Sequence, residues 1–563
     1  MPRTADAQPT GLTAGPTDGL TVGSSAESGS RWPSGWAPVL VFAVGMVALR
    51  VVFLAGFDPF TLIEDEAHYW EWSRRLGLSY YSKGPGVAWA IAAATALFGD
   101  VEWAVRLPAV LACSIGSVAV AGLTRDIFHD RRLMIMSAVA YQAMPGPFAT
   151  GLLMTIDGPY VACWTLAAWA GWRALAQRSG PAWIGLGLAL AVGFLFKYTI
   201  LVLPVGLVLF AVVDRKRVRS ADAGGIMGWM IGGVVCALLG LVPIAIWNAQ
   251  HDWATVRHLL GHLGVAGGDM PARQGGDAGW SYNPVWTLEF LGLQFAVAGA
   301  GFALAILGAI NLRGAHKQGR SDGRAGWQPG GVAFLYCCAT PMLVFYAGVT
   351  LFTQVEANWT MAAYATMAPV LAWAGMDGFV RRDGPIRFVW RLHLVLLVGM
   401  MIAAPALAWI VRTDDAPSSM GRIKPIDPYI DEVLAIAAEV EAEAGEPPVF
   451  IAIHYGRASQ LAFYLPGNPT VYAASAHFGD GRRTQYDVWA ETDLSNPDVG
   501  DRLRGRPAVL FDGSESEWRR LFERVESRGV LAHEPKKGRP TLEGFGYTGV
   551  PGERSRGDAG ETE

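Results

Sequence analysis

The feature that most constrains this chain is the recurrence of apolar runs about as long as a bilayer is thick. A hydrocarbon core needs roughly 20 predominantly apolar residues per helix. Runs of this kind fall at 37–56, 104–123, 133–150, 156–176, 183–197, 198–213, 226–247, 285–310, 332–353, 359–378 and 390–411. So much apolar length can be buried only in lipid, where each backbone must satisfy its own hydrogen bonds, so the expected structure is a bundle of membrane-spanning helices. Composition agrees: 52% of the 563 residues are hydrophobic and 17% charged, and mean hydropathy is +0.28. Soluble domains carry about a quarter charged residues. The 22 tryptophans suit interfacial belts.

The run at 86–98 is too short to span by length and reads as an interfacial or re-entrant segment. Loop charge supports leaving it uncrossed. Basic residues collect on cytoplasmic loops. Four clusters (Arg125, Arg131, Arg132; Arg215, Lys216, Arg217, Arg219; Arg313, Lys317, Arg320, Arg324; Arg381, Arg382, Arg387, Arg391) then share the side of the N-terminus. The acidic and aromatic loops 57–85, 248–284 and 354–358, with the turn near Asp157, share the opposite side, as does everything after about 412. A site facing away from the cytoplasm is expected.

Residues 1–35 are rich in Gly, Ser, Thr, Ala and Pro and read as disordered, as does the tail 550–563. The segments are therefore a membrane domain at 36–411 and a small α/β domain at 412–549. In the latter, helical periodicity at 428–445, a strand at 448–453, a helix at 456–464, strands at 470–473 and 508–511 and an amphipathic helix over 515–528 alternate as α/β domains do. No phosphate-cradling glycine motif occurs there. The net charge of −4 gives no basis for nucleic-acid binding, and the five cysteines all lie in apolar stretches without metal-site spacing.

Two polar elements follow the first span. Glu64-Asp65-Glu66-Ala67-His68-Tyr69-Trp70 places three carboxylates in a row beside a bilayer, where charge is costly unless solvated or used. Tyr80-Tyr81-Ser82-Lys83-Gly84-Pro85 sets a lysine at the membrane edge, able either to bind phosphate or to snorkel. Further along, Asp157 can cap a helix or serve a site. Lys197 interrupts an apolar run, either lining a cavity or snorkelling. His251 and Asp252 can contact phosphate or metal, or form a structural pair. Asn358-Trp359-Thr360 spells a glycosylation sequon but abuts a span and reads as an interfacial Trp anchor.

Together these residues resemble the dolichyl-phosphate-mannose–protein mannosyltransferase family (glycosyltransferase family 39), in particular its bacterial branch, which includes the lipid A aminoarabinose transferases. The resemblance rests on Asp65-Glu66-Ala67-His68-Tyr69-Trp70, Lys83-Gly84-Pro85, Phe98-Gly99, Arg106-Leu107-Pro108, Thr155-Ile156-Asp157-Gly158-Pro159, Phe196-Lys197-Tyr198-Thr199, Trp247 to Trp253, and Glu356-Ala357-Asn358-Trp359, and it covers roughly 37–475. It implies an all-α polytopic bundle of the GT-C fold with about 11–13 transmembrane helices, carrying the small α/β domain. It further implies a membrane glycosyltransferase of the bacterial inner membrane. Such an enzyme moves a sugar from a polyprenyl-phosphate donor to a hydroxyl of a lipid, protein or glycan. By position, Asp65 matches the catalytic carboxylate and Glu66 its neighbour. Lys83 matches the donor-phosphate lysine, with His68, Tyr80, Lys197 and His251 near that phosphate. Asp157, Asp252 and Glu356 are supporting or acceptor-side residues. Ser82 stands where relatives carry a possible metal-ligand Glu, and the usual Lys-Pro-Pro is Lys83-Gly84-Pro85. Metal dependence thus stays open, with Asp65, Asp157 or Glu66 as ligands beside phosphate oxygens. A lipid-sugar flippase is the alternative reading. It predicts paired repeats with broken helices, and no such repeat is found.

Overall fold

The computed structural model describes residues 35–57, 60–218, 223–262, 268–269, 282–317, 329–380, 384–413, 418–478, 481, 483–536 and 538–550. The expected disorder of the two ends, and the basic residues Arg219, Arg320, Arg324, Arg381 and Arg382, lie outside the described residues.

Helices form where the apolar runs predict them. Among the described residues, Trp36–Phe57, Glu102–Phe128, Gly225–Gln250, Gly330–Val349 and Gly384–Ile410 are each long and apolar enough to cross a bilayer. Gly86–Phe98, Gly180–Phe196 and Tyr198–Val213 are apolar but shorter. Large apolar side chains lie bare on the bundle surface, among them Val41, Val208, Ile231, Val395, Ile402 and Trp409. A surface of this kind is stable only against lipid, and the protein is an integral membrane protein.

Several spans are broken. The run 285–310 is two helices, Pro284–Ala298 and Gly301–Ile310, bent by 100° at Gly299, whose φ of +57° stops the first helix. The run 133–150 ends as a helix at Gln142, and a short helix, Pro145–Ala149, begins on the proline. Lys197 closes the Gly180–Phe196 helix in an extended conformation, so the chain turns there instead of continuing.

Close backbone approach holds the helices together where lipid supplies no hydrophobic drive. Gly180–Phe196 packs on Ala223–Leu239 through glycine: a Cβ on Gly187 would lie 2.0 Å from the Gly233 carbonyl oxygen, and one on Gly233 would lie 2.4 Å from the Trp183 carbonyl oxygen. Backbone cannot yield as a flexible side chain can.

The C-terminal domain is a five-stranded mixed sheet of order β2-β1-β3-β5-β4, with β1 Val449–Ala452, β2 Val471–Ala473, β3 Ala508–Phe511, β4 Phe522–Gly529 and β5 Thr541–Tyr547. β1 pairs in parallel with β2 and β3, while β5 runs antiparallel to β3 and β4. Helices Asp427–Ala444 and Tyr455–Tyr464 stand where periodicity predicts them. The expected helix over 515–528 is corrected. It is one turn, Glu515–Trp518, followed by β4. Trp518, Leu521, Phe522 and Val525 are all buried, a spacing close to helical. Pairing of Phe522–Gly529 with Thr541–Tyr547, not anticipated from the sequence, overrides that local pattern.

Replacing Gly187 with Leu forces the two helices apart. Overpacking costs about 1–3 kcal/mol, so Gly187→Leu should unfold several degrees lower in a detergent melt. Gly185→Ala, whose added Cβ meets only the Ala170 Cβ at 3.8 Å, should melt like wild type.

Candidate active site

The acidic motif is a helix, Glu64–Ser73, wedged between the bundle and the C-terminal domain. Its three leading carboxylates have three different fates.

Glu66 faces the bundle and is fully buried. Arg106, from the first turns of Glu102–Phe128, donates to Glu66 Oε1 at 2.9 Å and Oε2 at 2.8 Å in a bidentate pair. The same guanidinium donates to the carbonyls of Phe60 (2.8 Å) and Thr61 (3.0 Å). Glu66 also accepts from the backbone N–H of Ile63 at 3.1 Å and of Met154 at 2.7 Å. This carboxylate is wholly occupied in joining the first loop, the Glu102–Phe128 helix and the loop before Asp157. It positions the site and offers no lone pair to a substrate.

Glu64 faces the C-terminal domain and pairs with Lys536. Burial raises its carboxyl, but Lys536, His454 and Arg457 together outweigh burial and hold it below its ordinary value. Gly456 lets the Tyr455–Tyr464 helix come this close, since a Cβ there would meet Glu64 Cβ at 2.5 Å.

Asp65, between them, keeps an open face toward a recess of about 240 Å³ lined by Ile63, Glu64, Gln460, Pro535 and Lys536. Protein on its other sides keeps water away, and this burial is the main reason its carboxyl is raised above the ordinary value. Lys83 pulls it back, Glu64 and Glu66 push it up, and a hydrogen bond from Tyr455 lowers it, leaving a net rise. A carboxylate with a raised pKa and an open face is suited to accept a proton.

Lys83 is half-buried on the segment that follows. Its carbonyl accepts from the Tyr80 N–H at 3.1 Å and the Ser79 hydroxyl at 3.2 Å, which fixes the hairpin. Gly84 explains the departure from Lys-Pro-Pro: a Cβ there would sit 2.3 Å from the Leu195 carbonyl oxygen, so this segment lies directly on the end of the Gly180–Phe196 helix.

Asp157 begins the Asp157–Leu175 helix without capping it by a side-chain bond. One oxygen accepts from Lys197 Nζ at 2.7 Å and the other from Asn358 Nδ2 at 2.6 Å. Lys197 also lies 5.6 Å from the centre of the Tyr160 ring. Tyr69, on the Glu64–Ser73 helix, feels both Asp65 and Asp157, so the two carboxylates share one neighbourhood. With both oxygens engaged and its charge balanced by Lys197, Asp157 does not fit a metal ligand here. Among the described residues, no three His, Cys, Asp or Glu groups gather around Asp65.

The remaining candidates are either engaged in local packing or exposed. His68 accepts from Trp72 Nε1 at 3.1 Å through Nε2, so Nδ1 carries the proton and donates to Ser459 Oγ at 3.0 Å. Burial pushes the imidazole down to about 3, so it stays neutral, with no free nitrogen for phosphate. Tyr80 stacks on Trp72 at 4.4 Å and donates to the Trp72 and Arg75 carbonyls (both 3.0 Å), bracing the turn rather than facing the recess. His251 stacks on Trp247 at 4.1 Å and bonds its carbonyl at 2.8 Å. Asp252 is exposed in the next turn, at φ +51°, and Glu356 is exposed ahead of Asn358. Sequence reasoning missed four participants: Arg106 and Asn358, quoted only within motifs, and Tyr455 and Lys536, supplied by the C-terminal domain from nearly 400 residues away or more.

Known proteins bear on this geometry. Residues 82–247 match the family model described as dolichyl-phosphate-mannose-protein mannosyltransferase. The chain is 29% identical over 339 residues to lipid A galacturonosyltransferase RgtD of Rhizobium johnstonii, covering 59% of this chain and 64% of that protein. It is 27% identical to undecaprenyl phosphate-alpha-4-amino-4-deoxy-L-arabinose arabinosyl transferase 1 of Pseudomonas fluorescens, covering 44% of this chain and 47% of that protein. These matches span less than two thirds of the relatives' lengths. The fold matches that of ArnT from Cupriavidus metallidurans bound to undecaprenyl phosphate, with a TM-score of 0.60 and 15% identity over 91% of this chain and 98% of that one. The fold expected from the resemblance, a helical membrane bundle with a small C-terminal α/β domain, is thus present, although among the described residues five helices, or six if the bent pair is one span, are long and apolar enough to cross a bilayer against the 11–13 expected.

Arg106→Met leaves Glu66 buried and unpaired. Breaking such a pair costs about 3–5 kcal/mol, so this variant should melt far below wild type in detergent, whereas Asp65→Asn, changing an open carboxylate, should not. Equal melts for Arg106→Met and wild type would remove the pair from its structural role.

Proposed function

We propose that this protein is a membrane glycosyltransferase that moves a sugar from a polyprenyl-phosphate donor to the hydroxyl of an acceptor on the non-cytoplasmic face of the bacterial inner membrane. The observation that carries the proposal is Asp65: an open carboxylate, raised by burial, at the mouth of a recess with Lys83 acting on it electrostatically. The names of the relatives specify lipid A or undecaprenyl phosphate, which favours a lipid acceptor and a polyprenyl donor. The names of those relatives specify different sugars, a galacturonosyl group and a 4-amino-4-deoxy-L-arabinosyl group.

In the proposed reaction Asp65 takes the proton of the acceptor hydroxyl. The acceptor oxygen attacks the anomeric carbon, the bond from that carbon to the phosphate oxygen breaks, and its electron pair leaves with the polyprenyl phosphate. The leaving group is already anionic and needs a cation more than a proton, which Lys83 supplies as a point charge. Asp65 then releases its proton to solvent through the recess. Glu66 holds the helix that aims Asp65. The Asp157–Lys197–Asn358 cluster lies in the same neighbourhood, since Tyr69 feels both Asp65 and Asp157.

Asp65→Asn should lower turnover about 100- to 10,000-fold, as general-base loss does, with donor affinity retained. Lys83→Ala should instead raise the donor KM sharply. Near-normal turnover in Asp65→Asn would end the assignment.

The pH dependence has a definite sign. The base works deprotonated, so activity falls as pH drops through the raised Asp65 pKa. Lys83 lowers that pKa. Residual activity in Lys83→Gln should therefore lose its acidic limb at a higher pH than wild type. A limb that stays in place would separate Lys83 from Asp65.

The orientation follows from the basic loops. A phosphatase reporter fused after Val411 should be active, and activity of a fusion at Arg320 would reverse the topology.

A further inference from the structure

The connection between β2 and the Pro497–Leu503 helix carries a cluster that the proposed reaction does not use. His477, Asp487 and Asp493 each offer a ligand atom, all within 4.8 Å of one another. Asp487 is buried. Its Oδ2 accepts from the Thr484 N–H at 2.6 Å and the Thr484 hydroxyl at 3.0 Å, which fixes the carboxylate. Asp493 is held by the Ser495 N–H, 2.9 Å from its Oδ1. His477 Nε2 is shut off from solvent and has no hydrogen-bond partner among the described residues. An imidazole nitrogen buried without a partner is costly unless something coordinates or bonds it.

We propose that His477, Asp487 and Asp493 form a binding site for a divalent cation of the zinc class, separate from Asp65 and Lys83. One imidazole and two carboxylates are a donor set suited to zinc, with a fourth position left for water. In a tetrahedral site two metal–ligand bonds of about 2.1 Å set their ligand atoms about 3.4 Å apart, so ligand atoms within 4.8 Å of one another need to close by at most about 1.4 Å. Both carboxylates already carry the outer hydrogen bonds that orient metal ligands.

The cation would join the start of this connection, at His477, to its later turns at Asp487 and Asp493. Those turns are what the C-terminal domain lays over the Lys83 segment. Gln485 Oε1 accepts from the Tyr81 N–H at 2.6 Å. Glu491 pairs with Arg75 at 2.6 Å, and the same Arg75 lies 4.7 Å from the centre of the Trp489 ring. The ion would therefore brace the C-terminal domain where it packs on Arg75 and Tyr81, without entering the reaction.

The test uses the full-length protein in detergent, stripped of metal with a chelator and titrated with Zn²⁺ alone. Wild type should take up a Zn²⁺ equivalent that His477→Gln and Asp493→Asn lose or bind at least about 100-fold more weakly, since even outer-shell partners are worth about 10- to 100-fold. Metal-free melts of the two variants should match wild type, showing that they fold. Zn²⁺ should also slow amide exchange over 484–496 in wild type only. No uptake by wild type, or uptake and protection equal in wild type and His477→Gln, overturns the proposal.

Discussion

The site depends on the pair between Glu66 and Arg106. Both side chains are almost wholly removed from solvent, with 0% and 1% exposure, so each charge can be tolerated only because the other is there. The pair is also saturated. Arg106 spends its donors on both Glu66 oxygens and on the Phe60 and Thr61 carbonyls, and Glu66 accepts two backbone N–H groups besides. Because these partners come from the Phe60–Ile63 turn, the Glu102–Phe128 helix and the Met154 loop, one interaction fixes the pitch of the Glu64–Ser73 helix. Asp65 is the next residue back on that helix, and its direction follows.

Three consecutive acids would repel one another if they shared one environment. The helix prevents this by turning about 100° per residue. It sends Glu66 to a guanidinium in the bundle and Glu64 to an ammonium in the C-terminal domain, and leaves Asp65 between them. The neighbours are balanced by cations that Asp65 does not share, yet they still push its pKa up. The outer two carboxylates are engaged by cations, and the middle one is left open.

The apolar runs were legible because hydropathy over about 20 residues is a local property. Their breaks were less so. The 100° bend at 299–300 depends on one glycine with positive φ in an Ala-rich run, where the sequence shows only a long apolar stretch. In the C-terminal domain β1, β2 and β3 were readable as short apolar strands. β4 was not, because Phe522 and Val525 are spaced like helix neighbours and its partner lies at 541–547. In the site, Asp65 and Lys83 stand out as charges at a membrane edge. The Asp157–Lys197–Asn358 cluster does not, since the amide of Asn358 reaches Asp157 across 201 residues and no periodicity encodes that contact. His68 and Tyr80 lie in the right motifs, but whether a polar side chain faces a recess or its own backbone is decided by packing.

The C-terminal domain is a wall of the site rather than an appendage to it. Tyr455 hydrogen-bonds Asp65, and Pro535 and Lys536 line the recess with Gln460. The Tyr464 hydroxyl accepts the Leu62 N–H at 2.7 Å and donates to Glu102, one turn before Arg106. Gln460 donates to the Leu62 carbonyl at 2.8 Å, so both backbone groups of Leu62 are satisfied from the sheet domain. Residues 60–63, before the acidic helix, form no regular structure of their own. Their polar backbone would be costly beside lipid if left bare. Arg106 satisfies it from the bundle side and the Tyr455–Tyr464 helix from the other. The loop that leads into Asp65 is therefore held from both sides, by the membrane helices and by the C-terminal domain.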